Sequence, residues 1–216
     1  MMKLLGRSLL VATALLCIGA TAWAKPALKV TYPEHTYESL HIKYPQVQIE
    51  RKGYVSNKIN WYFKNEAEKS EHRFILAKEA GGVNTTEIKH EESYYGDKYI
   101  CFVNKGYDYP QGAAHPLSWK DGITFDLRTG DLVKNWQELL SETDNKETNL
   151  TNINKWILAH AKAKGNVLYA DFKGLKELPS NYYLDKEGQL IFIFGQYEIA
   201  PYASGILEVP TGKYCK

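Results

Sequence analysis

Apolar positions are grouped so that most of the chain reads as short strands and amphipathic helices. Leu190 to Phe194 is an unbroken run of β-branched and aromatic residues, the pattern of a short strand covered on both faces. Leu40 to Ile49 alternates apolar and polar and is interrupted at Pro45, which predicts a half-buried strand broken by proline. Ser56-Asn57-Lys58 opens a long amphipathic helix carrying Val55, Ile59, Tyr62, Phe63, Phe74 and Ala77, and Gly81-Gly82 ends it. Asn84 to Tyr95 alternates loosely and Tyr99 to Val103 is compactly apolar, so the two predict a hairpin about Gly96-Asp97. Gly122 to Leu127 is a strand ending in a Thr129-Gly130-Asp131 turn.

The second half follows the same logic. Trp136 to Leu140 predicts a short helix. Asn149 to Lys164 predicts a second, with Leu150, Ile153, Trp156, Ile157 and His160 on one face and Gly165 at its end. Tyr182-Tyr183-Leu184, a Lys186-Glu187-Gly188 turn and the Leu190 run predict another hairpin. Residues 25–36, with Pro26 and Pro33, read as a polar lead-in. Hairpins accompanied by helices, without strict alternation, predict an α+β fold: an antiparallel β-sheet with two or three helices packed on one face.

The amino terminus changes the frame. Lys3 and Arg7, an apolar run from Leu9 to Ala20 and Ala22-Trp23-Ala24 have the three parts of a secretory signal peptide. The run is shorter than the roughly 20 residues of a spanning helix, so cleavage is expected after Ala24. The remaining chain has no second hydrophobic segment and is expected to be exported, periplasmic or secreted, with no membrane span. Lys3 and Arg7 are the only charges in the leader, so the 27 basic and 25 acidic residues become 25 of each. That balance argues against nucleic acid as a partner. It indicates no oligomeric state. Cys101 and Cys215 survive cleavage, and a pair in an oxidising compartment is expected to form a disulfide. Closing that loop is worth about 4 kcal/mol in the chain-entropy model.

Candidate chemistry is sparse. The sequence has no Gly-x-Ser-x-Gly elbow, no His-Glu-x-x-His helix and no phosphate-cradling glycine loop. His90-Glu91-Glu92 lacks the convergent spacing of a metal site, and neither metal nor cofactor is expected. His115 stands in a loop of small residues before Pro116, placed either to contact a ligand or to bond nearby backbone. Glu198 lies in an apolar passage and needs a partner there, from His115 or from loop amides. Tyr197, Pro201 and Tyr202 follow the Leu190 run in a proline-stiffened turn, where they either cap the core or present a rigid contact surface.

These residues carry a resemblance. Gly112-Ala113-Ala114-His115-Pro116, then Phe125-Asp126-Leu127 with Thr129-Gly130, then Leu139-Leu140, then Phe194 with Tyr197-Glu198-Ile199-Ala200-Pro201-Tyr202-Ala203 and Gly205 resemble, in order and spacing, the RsiV-type extracytoplasmic domain. That family is named for an anti-sigma factor that senses lysozyme, and a similar domain accompanies some peptidoglycan deacetylases. The likeness covers roughly residues 105 to 212, which divides the chain into a leader (1–24), an N-terminal variable segment of the same domain (25–104) and the RsiV-type domain (105–216). It implies a non-catalytic module whose loops engage a protein, in one branch lysozyme. Gly112, Ala113, His115, Tyr197, Glu198, Pro201 and Tyr202 would form the contact. Ala113 departs from the family, which commonly has glycine there. Neither the sigma-binding segment nor a deacetylase domain is recognisable, so those activities are not implied. Two other readings stand beside it. One is a cell-wall-polymer enzyme with Glu198 as acid and His115 or Asp126 nearby; the other is an envelope structural protein without a ligand.

Overall fold

A computed structural model describes residues 25–83 and 85–216; the expected leader lies outside the described residues. The order of elements is β1 (Leu28–Thr31), β2 (Glu34–Tyr37), β3 (Leu40–Lys43), β4 (Gln46–Ile49), α1 (Gly53–Glu79), β5 (Thr85–Tyr95), β6 (Tyr99–Tyr109), β7 (Leu117–Asp126), a 3₁₀ turn (Trp136–Leu139), α2 (Glu142–Glu147), α3 (Leu150–Lys164), β8 (Tyr182–Leu184), β9 (Gln189–Phe194), a second 3₁₀ turn (Tyr202–Ser204) and β10 (Leu207–Tyr214). The fold is α+β, as the hydrophobic pattern predicts.

The sheet organisation differs from the single antiparallel sheet expected. Described strands form a five-stranded sheet in the order β2-β3-β5-β6-β7, a three-stranded sheet β10-β9-β8 and a two-stranded ribbon β1-β4. One pair in the large sheet, β3 with β5, is parallel. The cause is the connection: α1 carries the chain back along the sheet before β5 begins, and a helical crossover returns a strand in the same direction. Residues 25–36 are not a simple lead-in. Leu28 and Val30 alternate inward on β1, which pairs antiparallel with β4.

One face of the large sheet is covered by α1, and part of β5–β7 is covered on the other face as well. Alternation along β6 turns Ile100 and Phe102 toward α1, where they meet Ile59, Phe63 and Phe125. Tyr99 and Cys101 point the other way, into a core with Trp136, Leu139, Ile153, Ile157, Phe192, Phe194 and Val209. Thus the Tyr94–Cys101 end of the β5–β6 hairpin and the facing part of β7 lie between α1 and the core of the three-stranded sheet and α3. The Leu190 run lies at the centre of its sheet with Leu190 to Phe194 buried throughout, so the two-sided burial read from its composition holds. Truncating a side chain as enclosed as Phe192 costs on the order of 3–5 kcal/mol. The two sheets touch at Gly122, where a Cβ would stand 1.6 Å from the Tyr182 carbonyl oxygen. Only glycine allows β7 and β8 that contact.

The expected Cys101–Cys215 bridge is not formed; both are free thiols. Cys101 is enclosed in the core, where its sulfur accepts from the Thr124 hydroxyl (3.2 Å) and the Leu184 N–H (3.4 Å). Cys215 lies beyond β10, partly buried against Tyr94 and the Gly188 turn. The sulfur of Cys101 is committed to neighbours on β7 and β8 rather than to the carboxy terminus.

Candidate functional site: an aromatic ledge between two sheets

The two loops singled out in the sequence come together. The first joins β6 to β7 and contains Gly112 (φ +75°), Ala113 and His115. The Ala113 N–H donates to the Pro110 carbonyl at 3.2 Å and closes its tip. The second joins β9 to β10 and contains Tyr197, Glu198, Pro201 and Tyr202. The His115 ring stacks on Tyr202 with centroids 3.8 Å apart and planes 23° apart, and Tyr202 stands 5.8 Å from Tyr197. The Tyr202 hydroxyl donates to the Pro116 carbonyl at 3.4 Å, and His115 Nδ1 donates to the same oxygen at 3.3 Å. The result is a row of three rings. Its outer member, Tyr197, is 48% exposed.

The ledge is braced from below and behind. Ile199 and Ala200 are buried and hold the second loop to the core. Pro201 (φ −67°) leads into the 3₁₀ turn that carries Tyr202. Tyr197 takes a left-handed conformation at φ +65°, a backbone state that side chains other than Asn, Asp and His seldom adopt. Neighbouring bonds hold it there: Glu198 N–H donates to the Gly195 carbonyl at 3.2 Å, and the Tyr169 hydroxyl donates to the Tyr197 carbonyl at 3.4 Å. The Ser118 N–H donates to Gln196 Oε1 at 2.8 Å and ties the second loop to the start of β7, next to the first.

Glu198 has the partner its position demands, but the partner is not His115. Its Oε2 accepts from the Gly195 N–H at 2.7 Å, and the residue is exposed. The carboxylate closes the tight turn that presents Tyr197. Asp126 is not brought to the ledge. It lies at the far end of β7, about 30 Å along the strand at 3.3 Å per residue. Its Oδ1 accepts from the Arg128 and Thr129 N–H groups of the following turn. His90 faces α1 and bonds the Lys43 carbonyl at 2.9 Å, whereas Glu91 faces outward and pairs with Lys105. Strand alternation thus parts His90 from Glu91. Among the described residues no cluster of His, Cys, Asp or Glu has a metal-holding arrangement.

The register also reveals a polar lock between the sheets that local patterning does not show. Lys120 on β7 pairs with Glu208 on β10, the Tyr183 hydroxyl donates to Glu208 Oε2 at 2.7 Å, and the Lys120 ammonium stands 4.5 Å from the Tyr183 ring centre. Burial would raise the Glu208 carboxyl; the bonds from Lys120 and Tyr183 outweigh it and hold the group below its usual range. Asn181 reinforces the joint by donating to the Lys120 carbonyl (2.8 Å) and accepting from the Gly122 N–H (3.2 Å).

Residues 134–210 match the family described as a protein of unknown function, DUF3298. The matched span contains α2, α3, β8, β9 and the tyrosine-bearing loop, and it stops within β10. A crystal structure of a DUF3298 member from Bacteroides fragilis is similar at TM-score 0.57 and 16% identity, covering 86% of this chain and 89% of that one. A DUF3298 protein from Pseudomonas aeruginosa is similar at TM-score 0.53 and 14% identity, covering 86% and 90%. At such identities the likeness speaks for the fold. No curated protein matches the sequence. Among the described residues no helix is long and apolar enough to cross a membrane.

Proposed function

We propose that this chain is an exported, non-catalytic binding protein that offers the His115–Tyr202–Tyr197 ledge to a protein partner, with a lysozyme-like muramidase or another cell-wall hydrolase as the partner class. The observation that carries the reading is a row of stacked rings whose outermost member faces solvent while the backbone beneath it is pinned by buried Ile199 and Ala200. Tyrosine held this way offers a large contact area without paying much ordering entropy on binding. The resemblance of the Tyr197–Tyr202 run to the RsiV-type domain supports the choice of partner class, and the leader-like first 24 residues support export.

The test is to titrate purified protein with lysozyme by calorimetry and to follow residual muramidase activity. Association is expected, with Tyr197→Ala weakening it about thirtyfold, the scale of an interface hot spot. Circular dichroism confirms that the variant is folded. Absence of association at millimolar concentrations removes lysozyme as the partner. Association that Tyr197→Ala and Tyr202→Ala leave intact removes the ledge as the contact.

A further inference from the structure

A cleft of about 580 Å³ lies between α1 and the five-stranded sheet. Strand register builds its floor. Every second residue of a strand lies on one face, and three cross-strand rows succeed one another there: Thr86 with Asp108, then Ile88, Gly106 and Trp119, then His90, Asn104 and Asp121. Gly106 is required for this floor. A Cβ at that position would come within 2.4 Å of the Trp119 ring and 2.6 Å of the Glu87 carbonyl oxygen, so only bare backbone lets the indole lie across the strand. Successive turns of α1 supply the roof, through Tyr62, Glu66, Ser70 and Arg73.

Three carboxylates and one unpartnered amide oxygen are acceptors of this cleft, beside the donors of Arg73 and Trp119. The amide oxygen of Asn104 is shielded from solvent and finds no hydrogen-bond partner among the described residues, a condition that buried polar atoms rarely keep. Asp108 accepts from the Thr86 hydroxyl at 2.5 Å, and Asp121 accepts from Asn181 at 3.0 Å. Asp121 still reaches solvent, but partial desolvation raises its carboxyl above the usual range against the opposing bond from Asn181, a shift that nearby positive charge would counter. Glu66 adds a third carboxylate at the rim, paired with Lys69. The one strong cation, Arg73, bonds the Ser70 hydroxyl. His90 spends Nδ1 on the Lys43 carbonyl, which leaves an acceptor at Nε2 of the neutral ring.

We propose that the cleft binds a small organic cation bearing a primary amine, with the ammonium donating to Asn104 Oδ1 and Asp121 and the carbon chain lying against Trp119 and Tyr62; Asp108, two rows away and about 13 Å along β6, would take the second ammonium of a diamine. The volume falls inside the roughly 300–1,000 Å³ of small-molecule sites. Ammonium is preferred over neutral polyols because a neutral ligand would leave the carboxylates desolvated and uncompensated, and the two rings add cation–π attraction.

The probes are n-butylamine and 1,4-diaminobutane, titrated into the protein by calorimetry and by two-dimensional ¹⁵N–¹H spectra, with n-butanol and glucose as neutral controls. Both amines are expected to bind and to move the Trp119 indole N–H and the Asn104 side-chain amide resonances. Asp121→Asn is expected to weaken both amines about tenfold, Asp108→Asn to weaken 1,4-diaminobutane about tenfold and n-butylamine little, and Tyr197→Ala to leave both unchanged. The proposal is overturned by silence in both measurements at about ten millimolar amine, by equal binding of glucose or butanol, or by amine shifts that spare Trp119 and Asn104. The wild-type spectra locate the ligand directly, so a variant that fails to fold does not shelter the proposal.

Discussion

Replacing Glu208 by Gln tests whether the ledge depends on the joint between the two sheets. The substitution keeps the shape and an acceptor for the Tyr183 hydroxyl but removes the charge opposite Lys120. The Lys120 side chain is only 11% exposed, whereas Glu208 is 36% exposed. Breaking a fully buried pair costs about 3–5 kcal/mol because it strands the remaining charge. Screening at the half-exposed Glu208 reduces that figure, and about 2 kcal/mol is expected here. For a chain of this size that is a fall in Tm of roughly 4–8 °C. Lys120→Met should cost less, since Glu208 keeps the Tyr183 bond and reaches solvent. The double variant should recover most of the loss, because neither substitution then leaves a charge stranded without its partner. Urea unfolding of the four proteins closes the cycle. The pH dependence has a fixed sign. A carboxyl held below its usual value in the fold stabilises above its unfolded pKa, and that stability is lost as pH falls through the folded value. The difference between wild type and Glu208→Gln should therefore be full at pH 7 and shrink below about pH 4. A loss under about 0.5 kcal/mol at pH 7, or an equal loss at pH 3, would show that the pair does not hold the sheets.

Burial also pushes the His90 imidazole below its usual pKa, against the opposing effects of the Lys43 carbonyl and Glu66. The unfolded chain therefore binds a proton that the folded chain refuses, and stability should fall as pH drops below about 6.5; His90→Gln should flatten that slope in urea midpoints taken between pH 7.5 and 5.5. Burial raises the Cys101 thiol as well, so a thiol reagent should label Cys215 in the folded chain and reach Cys101 only on unfolding. If neither thiol reacts in denaturant without reductant, the two form a bridge after all.

What could be read from the chain was its local order. The Leu190 run, the hairpin about Gly96-Asp97 and the helix ending at Gly165 each carry their signal within a dozen residues, and all three stand in the structure. The two ledge loops were found through the spacing of His115-Pro116 and the Tyr197–Tyr202 run. Their stacking, however, depends on contacts across some 85 residues. What could not be read is register. Nothing near Leu40 says that it pairs parallel with Thr86, because the partner arrives only after α1 has crossed the sheet. The Asn104–Asp121 row was invisible for the same reason: each residue alone reads as a polar position on an exposed strand. The cysteine pairing failed on a further point. Loop-closure entropy rewards a bridge of any long span, but the direction of the Cys101 sulfur is set by its neighbours Thr124 and Leu184.

The construction of the ledge explains why two sheets are used. His115 belongs to the five-stranded sheet through β6 and β7, while Tyr197 and Tyr202 belong to the three-stranded one through β9 and β10. Loops on separate sheets stack within 3.8 Å only if the sheets keep a fixed separation and angle. Gly122 lets β7 touch β8, and the Lys120–Glu208–Tyr183 lock with Asn181 ties β7 to β8 and β10. On the proposed reading, rings fixed in this way would lose little freedom on contact, so most of their burial energy would go into affinity. A ledge on one flexible loop would spend that energy on its own ordering.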